Sequence, residues 1–258
     1  MSRQPVFNIP GVVLAAMALL ACIHGVREYA ISDEADARTL LSFAFVPGRF
    51  TLVYDRAGLV EAFDQFTHAA AALLFLGDGT LQWWTPVTYG FLHSDWTHLG
   101  VNVLWLAAFG APLARRFGAP RFVAFCLGAT VVGALAHYVL HRYDCLPMIG
   151  ASAAVSGLTA ACLRFIFQPY GPLGSEQAAP DDEAYRQPAL SLHSVFTNTR
   201  ALSFLVLWFA VNFLFGVMSP TLGLSQGPVA WEAHVGGFVG GLLLFSIMDP
   251  PRLRSRMV

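Results

Sequence analysis

Residues 147–163 read Pro-Met-Ile-Gly-Ala-Ser-Ala-Ala-Val-Ser-Gly-Leu-Thr-Ala-Ala-Cys-Leu, an apolar segment almost long enough to cross a membrane. On a helix, small residues would lie nearly all the way round, with Gly150, Ala153 and Gly157 on one side and Ser152 and Ser156 on another. A helix facing lipid would carry large apolar side chains, whereas small ones let neighbouring helices approach closely. The stretch therefore predicts the central helix of a membrane bundle, with a serine near one end.

The composition of the whole chain also indicates a membrane protein. Of its 258 residues, 56% are hydrophobic and only 12% are charged, about half the charged fraction of a typical soluble domain. We expect one all-α, polytopic membrane domain over residues 1–258. The net charge of −1 and the lack of a basic patch give no reason to expect a nucleic-acid partner. The four cysteines form no CxxC pair, so a disulfide framework is not expected either.

Apolar segments of near-spanning length recur along the chain and predict a bundle of six transmembrane helices. The first could also be a signal peptide, but no A-x-A-like cleavage site follows it and the later segments continue the pattern. An outer loop would cover 27–96, in which the apolar run 69–76 is too short to span and fits an interfacial or re-entrant segment. A flexible cytoplasmic loop would cover 168–200. The predicted spans are about 9–26, 97–113, 121–140, 147–167, 201–218 and 229–248.

The distribution of arginine predicts the orientation of these spans. Six spans place both termini on one side, which would hold ten arginines against five on the other. Cytoplasmic loops carry the excess of basic residues, so both termini are expected in the cytoplasm. We expect an integral protein of the bacterial inner membrane, in contact with membrane lipid; the oligomeric state stays open.

Polar side chains inside spans are costly and often mark function. His98 and Asn102 are four residues apart, on one face of the second span near its outer end. Ser152 and His234 lie near the outer ends of the fourth and sixth spans. A serine hydroxyl is a poor nucleophile until a neighbouring base accepts its proton, and an acyl-transfer oxyanion needs hydrogen-bond donors. The residues predict a serine nucleophile with a histidine base, and donors from the Ser152 amide, Asn102 and His98.

Glycines after His234 would let the sixth helix approach the small-residue fourth helix closely. A carboxylate to complete a triad is not expected, because Glu232 points to another side of the helix and Asp249 lies at its far end. The prediction is therefore a Ser152–His234 dyad. These glycines are Gly236, Gly237, Gly240 and Gly241.

One further set of residues has a spacing that could suit a metal. His137, His141 and Cys145 are four residues apart, but no further ligand cluster accompanies them and the helix is expected to end before Cys145. We therefore expect a histidine pair facing a loop, with no metal and no cofactor.

Taken together, the motifs resemble those of the rhomboid protease family, over roughly residues 84–248. The resemblance implies a six-helix intramembrane serine protease that cleaves transmembrane-helix substrates near the outer membrane face. It further implies Ser152 as nucleophile, His234 as base and then acid, and an oxyanion hole of His98, Asn102 and the Ser152 amide. The matching stretches are Gly150-Ala-Ser152, His98-Leu-Gly-Val-Asn102, Ala233-His234-Val-Gly236-Gly237-x-x-x-Gly241 and Trp84-Thr-Pro-Val-Thr-Tyr-Gly-Phe-Leu-His93.

Three positions depart from the family pattern. Ala153 follows the serine where glycine is common, Ser156 stands where an aromatic ring often packs on the catalytic histidine, and Thr85 replaces an arginine of some members. Something other than residue 156 must then brace His234. The alternative function is a rhomboid-like pseudoprotease that binds transmembrane clients without cleaving them; a transporter is disfavoured because the spans hold no mid-membrane Asp or Glu.

Overall fold

The computed structural model describes residues 9–63, 69–179, 181–218 and 229–249, and within these ranges it is helical without strands. The outer loop carries α2 to α6, and short 3₁₀ helices cover Tyr89–Phe91 and Asp181–Arg186. The α-helices are α1 Gly11–Tyr29, α2 Asp33–Phe43, α3 Pro47–Thr51, α4 Arg56–Phe63, α5 Ala69–Leu76, α6 Thr85–Thr88, α7 Trp96–Phe117, α8 Ala119–Leu140, α9 Ser152–Leu163, α10 Leu192–Thr197, α11 Thr199–Met218 and α12 Trp231–Met248.

Four of the described helices, α1, α7, α8 and α12, are long and apolar enough to cross a membrane. The predicted spans at 147–167 and 201–218 correspond to shorter apolar helices, α9 and the 199–214 part of α11. The prediction of an all-α, polytopic bundle is confirmed. The predicted interfacial run at 69–76 is helix α5, in which Ala72 packs against Leu59 and Cys145. Arg3, Arg252, Arg254 and Arg256, which the orientation prediction used, lie outside the described residues.

Helix α9 begins five residues later than predicted, at Ser152. Met148 instead pairs with Phe45 in an isolated antiparallel β-bridge, and Gly150 adopts a φ of +124°, which interrupts helical geometry. From Val155 to Leu163 every residue of α9 is buried. A helix buried on all sides lies at the centre of the bundle, as its small residues predicted.

Helices α9 and α12 touch through their backbones. A Cβ added to Gly237 would lie 2.1 Å from the carbonyl oxygen of Ala153, and one added to Gly241 would lie 2.4 Å from that of Gly157. Helix α8 also lies close to α12, because a Cβ on Gly236 would lie 2.3 Å from the Cβ of Ala136 and 3.1 Å from the carbonyl oxygen of Val132. The glycines after His234 therefore leave room for two neighbouring helices.

The segment 168–200, predicted to be a flexible loop, contains two short helices and is tied to the bundle by buried arginines. Arg116 donates to the backbone oxygens of Tyr185 and Gln187 and forms a two-pronged ion pair with Asp249. Arg164 donates to the carbonyl oxygen of Leu190 at 2.6 Å. A planar guanidinium can donate to several acceptors at once. These hydrogen bonds explain how so polar a segment is attached to the helix bundle.

Replacing Gly237 by alanine should lower the thermal unfolding midpoint in detergent by several degrees. The new Cβ meets backbone, which cannot move aside, and overpacking of this kind costs about 1–3 kcal/mol. Gly100→Ala is the matched control: its Cβ would meet nothing within 4 Å, and alanine favours the helix by about 1 kcal/mol. Equal midpoints for the two variants would contradict the close contact.

Candidate active site

Ser152 is the first residue of α9, and Gly150, two residues earlier, leaves room for the ring of His98 beside it. A Cβ built on Gly150 would lie 2.8 Å from Nε2 of His98 and 3.8 Å from Oγ of Ser152. The hydroxyl and this imidazole therefore converge on one point in front of the Gly150 backbone. A side chain at residue 150 would fill that point, so the glycine is required both by its φ and by the space.

Backbone contacts also bring the turn that carries His234 close to the turn that carries Ser152. A Cβ added to Gly133 of α8 would lie 2.4 Å from the Cβ of Ala153 and 2.9 Å from the carbonyl oxygen of Ala233. These two alanines are the chain neighbours of Ser152 and His234. Between the described side chains of Ser152 and His234 there is no hydrogen bond. Catalytic hydrogen bonds are often long in unliganded enzymes and tighten when substrate binds.

Asn212 of α11 holds the imidazole of His234, and the sequence analysis did not include it. Its Oδ1 lies 2.9 Å from Nδ1 of His234, and its Nδ2 donates to the carbonyl oxygen of Trp208 at 2.9 Å. A carbonyl only accepts, so the amide nitrogen must face Trp208 and the amide oxygen must face His234. Nδ1 of a neutral His234 then carries the proton, and Nε2 keeps a free lone pair.

His98 and Asn102 lie on one face of α7, as predicted. Asp95 caps the helix by accepting from the backbone N–H of His98 at 2.8 Å. Nδ1 of His98 lies 3.1 Å from the hydroxyl of Ser94, which itself donates to Asp95, and 3.5 Å from the backbone nitrogen of Ser94. Asn102 is buried, and its Nδ2 donates to the carbonyl oxygen of His98 at 2.9 Å, which leaves its second N–H unused.

His93 is a second residue that the sequence analysis quoted only as part of a motif. It is fully buried, and its Nε2 accepts from the backbone N–H of Ala151 at 3.4 Å. Burial lowers its pKa to about 3, and the positive charge of Arg27 acts in the same direction, so the ring stays neutral. Arg27 donates to the His93 carbonyl oxygen at 2.8 Å and pairs with Asp36. The loop before α7 is thereby fixed against the segment that leads into Ser152.

Glu232, although only two residues from His234, is engaged elsewhere. Its carboxylate lies 3.0 Å from Nε2 of His141 and 3.7 Å from Nδ1 of His137. Ser156 does not reach the imidazole either, because its hydroxyl donates to the carbonyl oxygen of Ser152 at 2.7 Å. Among the side chains described here, the hydrogen-bond partner of the His234 ring is an amide.

The protein is a polytopic integral membrane protein, in which apolar helices pack around a helix of small residues. Serine, histidine and amide groups lie together at one end of this bundle and form a candidate catalytic cluster. A family model described as the Rhomboid domain matches residues 80–250, about two thirds of the sequence. The chain therefore belongs to the rhomboid family.

Individual relatives agree with this assignment. Rhomboid protease GluP of Bacillus subtilis (strain 168) is 26% identical over 171 residues, which are 66% of this chain and 27% of that protein. Putative rhomboid protease YdcA of the same strain is 28% identical over 59% of this chain and 67% of its own length. Human Rhomboid-related protein 3 is 31% identical over 50% of this chain and 30% of its own length. Much of GluP and of the human protein thus lies outside the matched segment.

Gly150→Ala should destabilise the protein more than Gly118→Ala. Both glycines have positive φ, so both variants strain the backbone by about 1–3 kcal/mol. Only the Cβ at residue 150 also meets the His98 ring, since the one at residue 118 has nothing within 4 Å. Thermal unfolding of the two variants, and of Gly150→Ala combined with His98→Ala, measures the difference. If Gly150→Ala destabilises the His98→Ala variant as much as it destabilises the wild-type protein, the clash with His98 is not the cause.

Proposed function

We propose that this protein is an intramembrane serine protease that cleaves transmembrane helices near the outer membrane face through a Ser152–His234 dyad and an acyl-enzyme. The observation that carries the proposal is the meeting of two helix turns: α9 and α12 are in backbone contact beside the serine and the histidine. Membership of the rhomboid family and the protease names of the two bacterial relatives support the same reaction class.

The protonation of His234 suits the first chemical step. With Nδ1–H donated to Asn212, Nε2 accepts the proton of the Ser152 hydroxyl as Oγ attacks the peptide carbonyl carbon. The imidazolium then gives that proton to the leaving amine nitrogen as the C–N bond breaks. Water, deprotonated by the same nitrogen, hydrolyses the resulting ester and frees Ser152.

Three donors are available for the oxyanion. As the first residue of a helix, Ser152 has a backbone N–H without an intrahelical acceptor. His98 contacts Ser94 through Nδ1, and its Nε2 faces Gly150. In the tautomer that carries the proton on Nε2, this ring is the second donor. The unused N–H of Asn102 is the third donor. Fixed dipoles of this kind stabilise a developing oxyanion without reorganising.

Asn212 acts as a positioning residue in this mechanism. Its amide is oriented by Trp208, one turn earlier on α11, and it selects the His234 tautomer whose Nε2 is basic. It thereby takes the part that a carboxylate plays in a triad, without adding a negative charge inside the membrane. It also supplies the brace that Ser156 cannot provide.

The setting of the reaction is part of the proposal. The excess of arginine on one side of the predicted spans supports an orientation with both termini in the cytoplasm and Ser152 toward the outer side. Two of the relatives are bacterial, which favours the cell membrane of a bacterium. The substrates would be single transmembrane segments that unwind near the outer face.

Ser152→Ala should abolish labelling by a fluorescent fluorophosphonate in detergent and cleavage of a model transmembrane substrate. Ser156→Ala, four residues along the same helix and bonded to the Ser152 carbonyl, is the matched control and should keep both. His234→Ala should lose both as well, because no base remains. Labelling that persists in Ser152→Ala would assign the nucleophile elsewhere. A wild-type protein that neither labels nor cleaves would favour the pseudoprotease.

Asn212→Leu should slow fluorophosphonate labelling of Ser152 and lower kcat by about 10- to 100-fold with little change in KM, because the imidazole loses its orientation. Asn212→Asp keeps an oxygen acceptor for Nδ1 and should recover part of the rate. Asn198→Ala is the control: this residue caps the other end of α11, where its Oδ1 accepts from Ala201 N–H at 3.0 Å. If Asn198→Ala and Asn212→Leu lose rate equally, the effect belongs to helix stability rather than to His234.

A further inference from the structure

Three potential metal ligands meet outside the proposed catalytic cluster. His137 lies in the last turn of α8, His141 directly follows that helix, and Glu232 lies in the first turn of α12. Their ligand atoms all lie within 4.8 Å of one another. Nε2 of His141 is 3.0 Å from Oε1 of Glu232, and Nδ1 of His137 is 3.7 Å from Oε2.

One of these ligand atoms has no hydrogen-bond partner although it is buried. His137 is only 6% exposed, and its Nδ1 is among the described buried polar atoms that lack any partner. An unpaired buried nitrogen costs free energy unless something compensates for it. This nitrogen lies 3.7 Å from Oε2 of Glu232, which is too long for a hydrogen bond. The gap leaves room for an ion between the two atoms.

The arrangement has the ligand types and nearly the spacing of a zinc site. With metal–ligand bonds of about 2.0–2.2 Å, the ligands of a tetrahedral ion lie about 3.3–3.5 Å apart. Oε1 of Glu232 lies 3.0 Å from Nε2 of His141, and Oε2 of the same carboxylate lies 3.7 Å from Nδ1 of His137, so each nitrogen is near this distance from one of the two carboxylate oxygens. All the ligand atoms lie within 4.8 Å of one another, so no separation has to shorten by more than about 1.4 Å, and the His141 side chain, 42% exposed, has space to make this movement.

We propose that His137, His141 and Glu232 bind a Zn²⁺ ion, with the fourth position open to water. Two imidazoles and one carboxylate suit Zn²⁺, and an exposed His141 gives the ion a path from solvent. Cys145, which shares the histidine spacing in the sequence, is not a ligand: its Sγ donates to the Tyr143 carbonyl and packs among apolar residues. The third ligand comes instead from 91 residues further along the chain.

The ion would tie the outer end of α8 to the first turn of α12. These helices are already in contact below the site, where a Cβ on Gly236 would meet the Val132 carbonyl oxygen at 3.1 Å. His137 and Glu232 are thus held on rigid helices, a condition for a specific metal site, and His141 is the ligand that can adjust. The inference concerns binding alone and holds whether or not the protein cleaves peptides.

Zinc binding can be measured on the full-length protein in detergent, stripped with EDTA and carrying no histidine tag. Titration against a chromophoric zinc chelator should give one Zn²⁺ per chain, and the ion should raise the thermal unfolding midpoint. His141→Ala and Glu232→Gln should each weaken binding at least about tenfold and remove the thermal shift. Substitution by Co²⁺ should give the strong visible absorption of a tetrahedral site in wild type but not in His141→Ala or Glu232→Gln.

Two histidine variants serve as controls. His193→Ala removes an exposed histidine far from the cluster in sequence and should leave the affinity unchanged. His98→Ala tests the other imidazole pair, since the His93 and His98 rings lie 5.0 Å apart. The proposal is overturned if wild type binds no Zn²⁺ saturably, or if His141→Ala and Glu232→Gln bind as tightly as wild type. It is equally overturned if His98→Ala alone abolishes binding.

Discussion

The contact between the backbones of α9 and α12 is the constraint on which the rest of the structure depends. In a membrane, lipid tails are as apolar as leucine, so helices associate through close packing and not through the hydrophobic effect. Gly237 and Gly241 have no side chains to separate them from Ala153 and Gly157. This contact fixes the relative depth of the two helices, and with it the level at which Ser152 and His234 stand.

Much of the fold followed from the sequence because membrane helices leave direct signals in it. The length of each apolar run predicted α1, α7, α8 and α12 to within a few residues. The small residues of 147–163 predicted a buried central helix, since a lipid-facing helix would not be built from Gly, Ala and Ser. The candidate site was predicted for a related reason and stays a prediction: a serine, a histidine and an asparagine inside apolar spans are energetically costly, so such residues often mark function.

What the sequence did not predict depends on contacts between distant residues. The start of α9 at Ser152 reflects the φ of Gly150 and the pairing of Met148 with Phe45, which no periodicity encodes. The bond from Asn212 to His234 joins α11 to α12, and an asparagine within an apolar run gives no indication of its partner. The sequence can show that such an asparagine is energetically costly within a span, but only the three-dimensional structure shows which residue it bonds to.

The position of Asn212 makes the state of His234 depend on a third helix. Lower on α11, Trp208 packs against Phe238 of α12 with ring centroids 4.5 Å apart, which anchors the two helices to each other. One turn further, Asn212 reaches the imidazole, while its neighbours Val211 and Phe213 face outward. The α9–α12 contact fixes the position of His234. The hydrogen bond from α11, through Asn212, determines which nitrogen of its ring carries the proton. Because a base works only through its free nitrogen, both contacts are needed for the dyad chemistry proposed here.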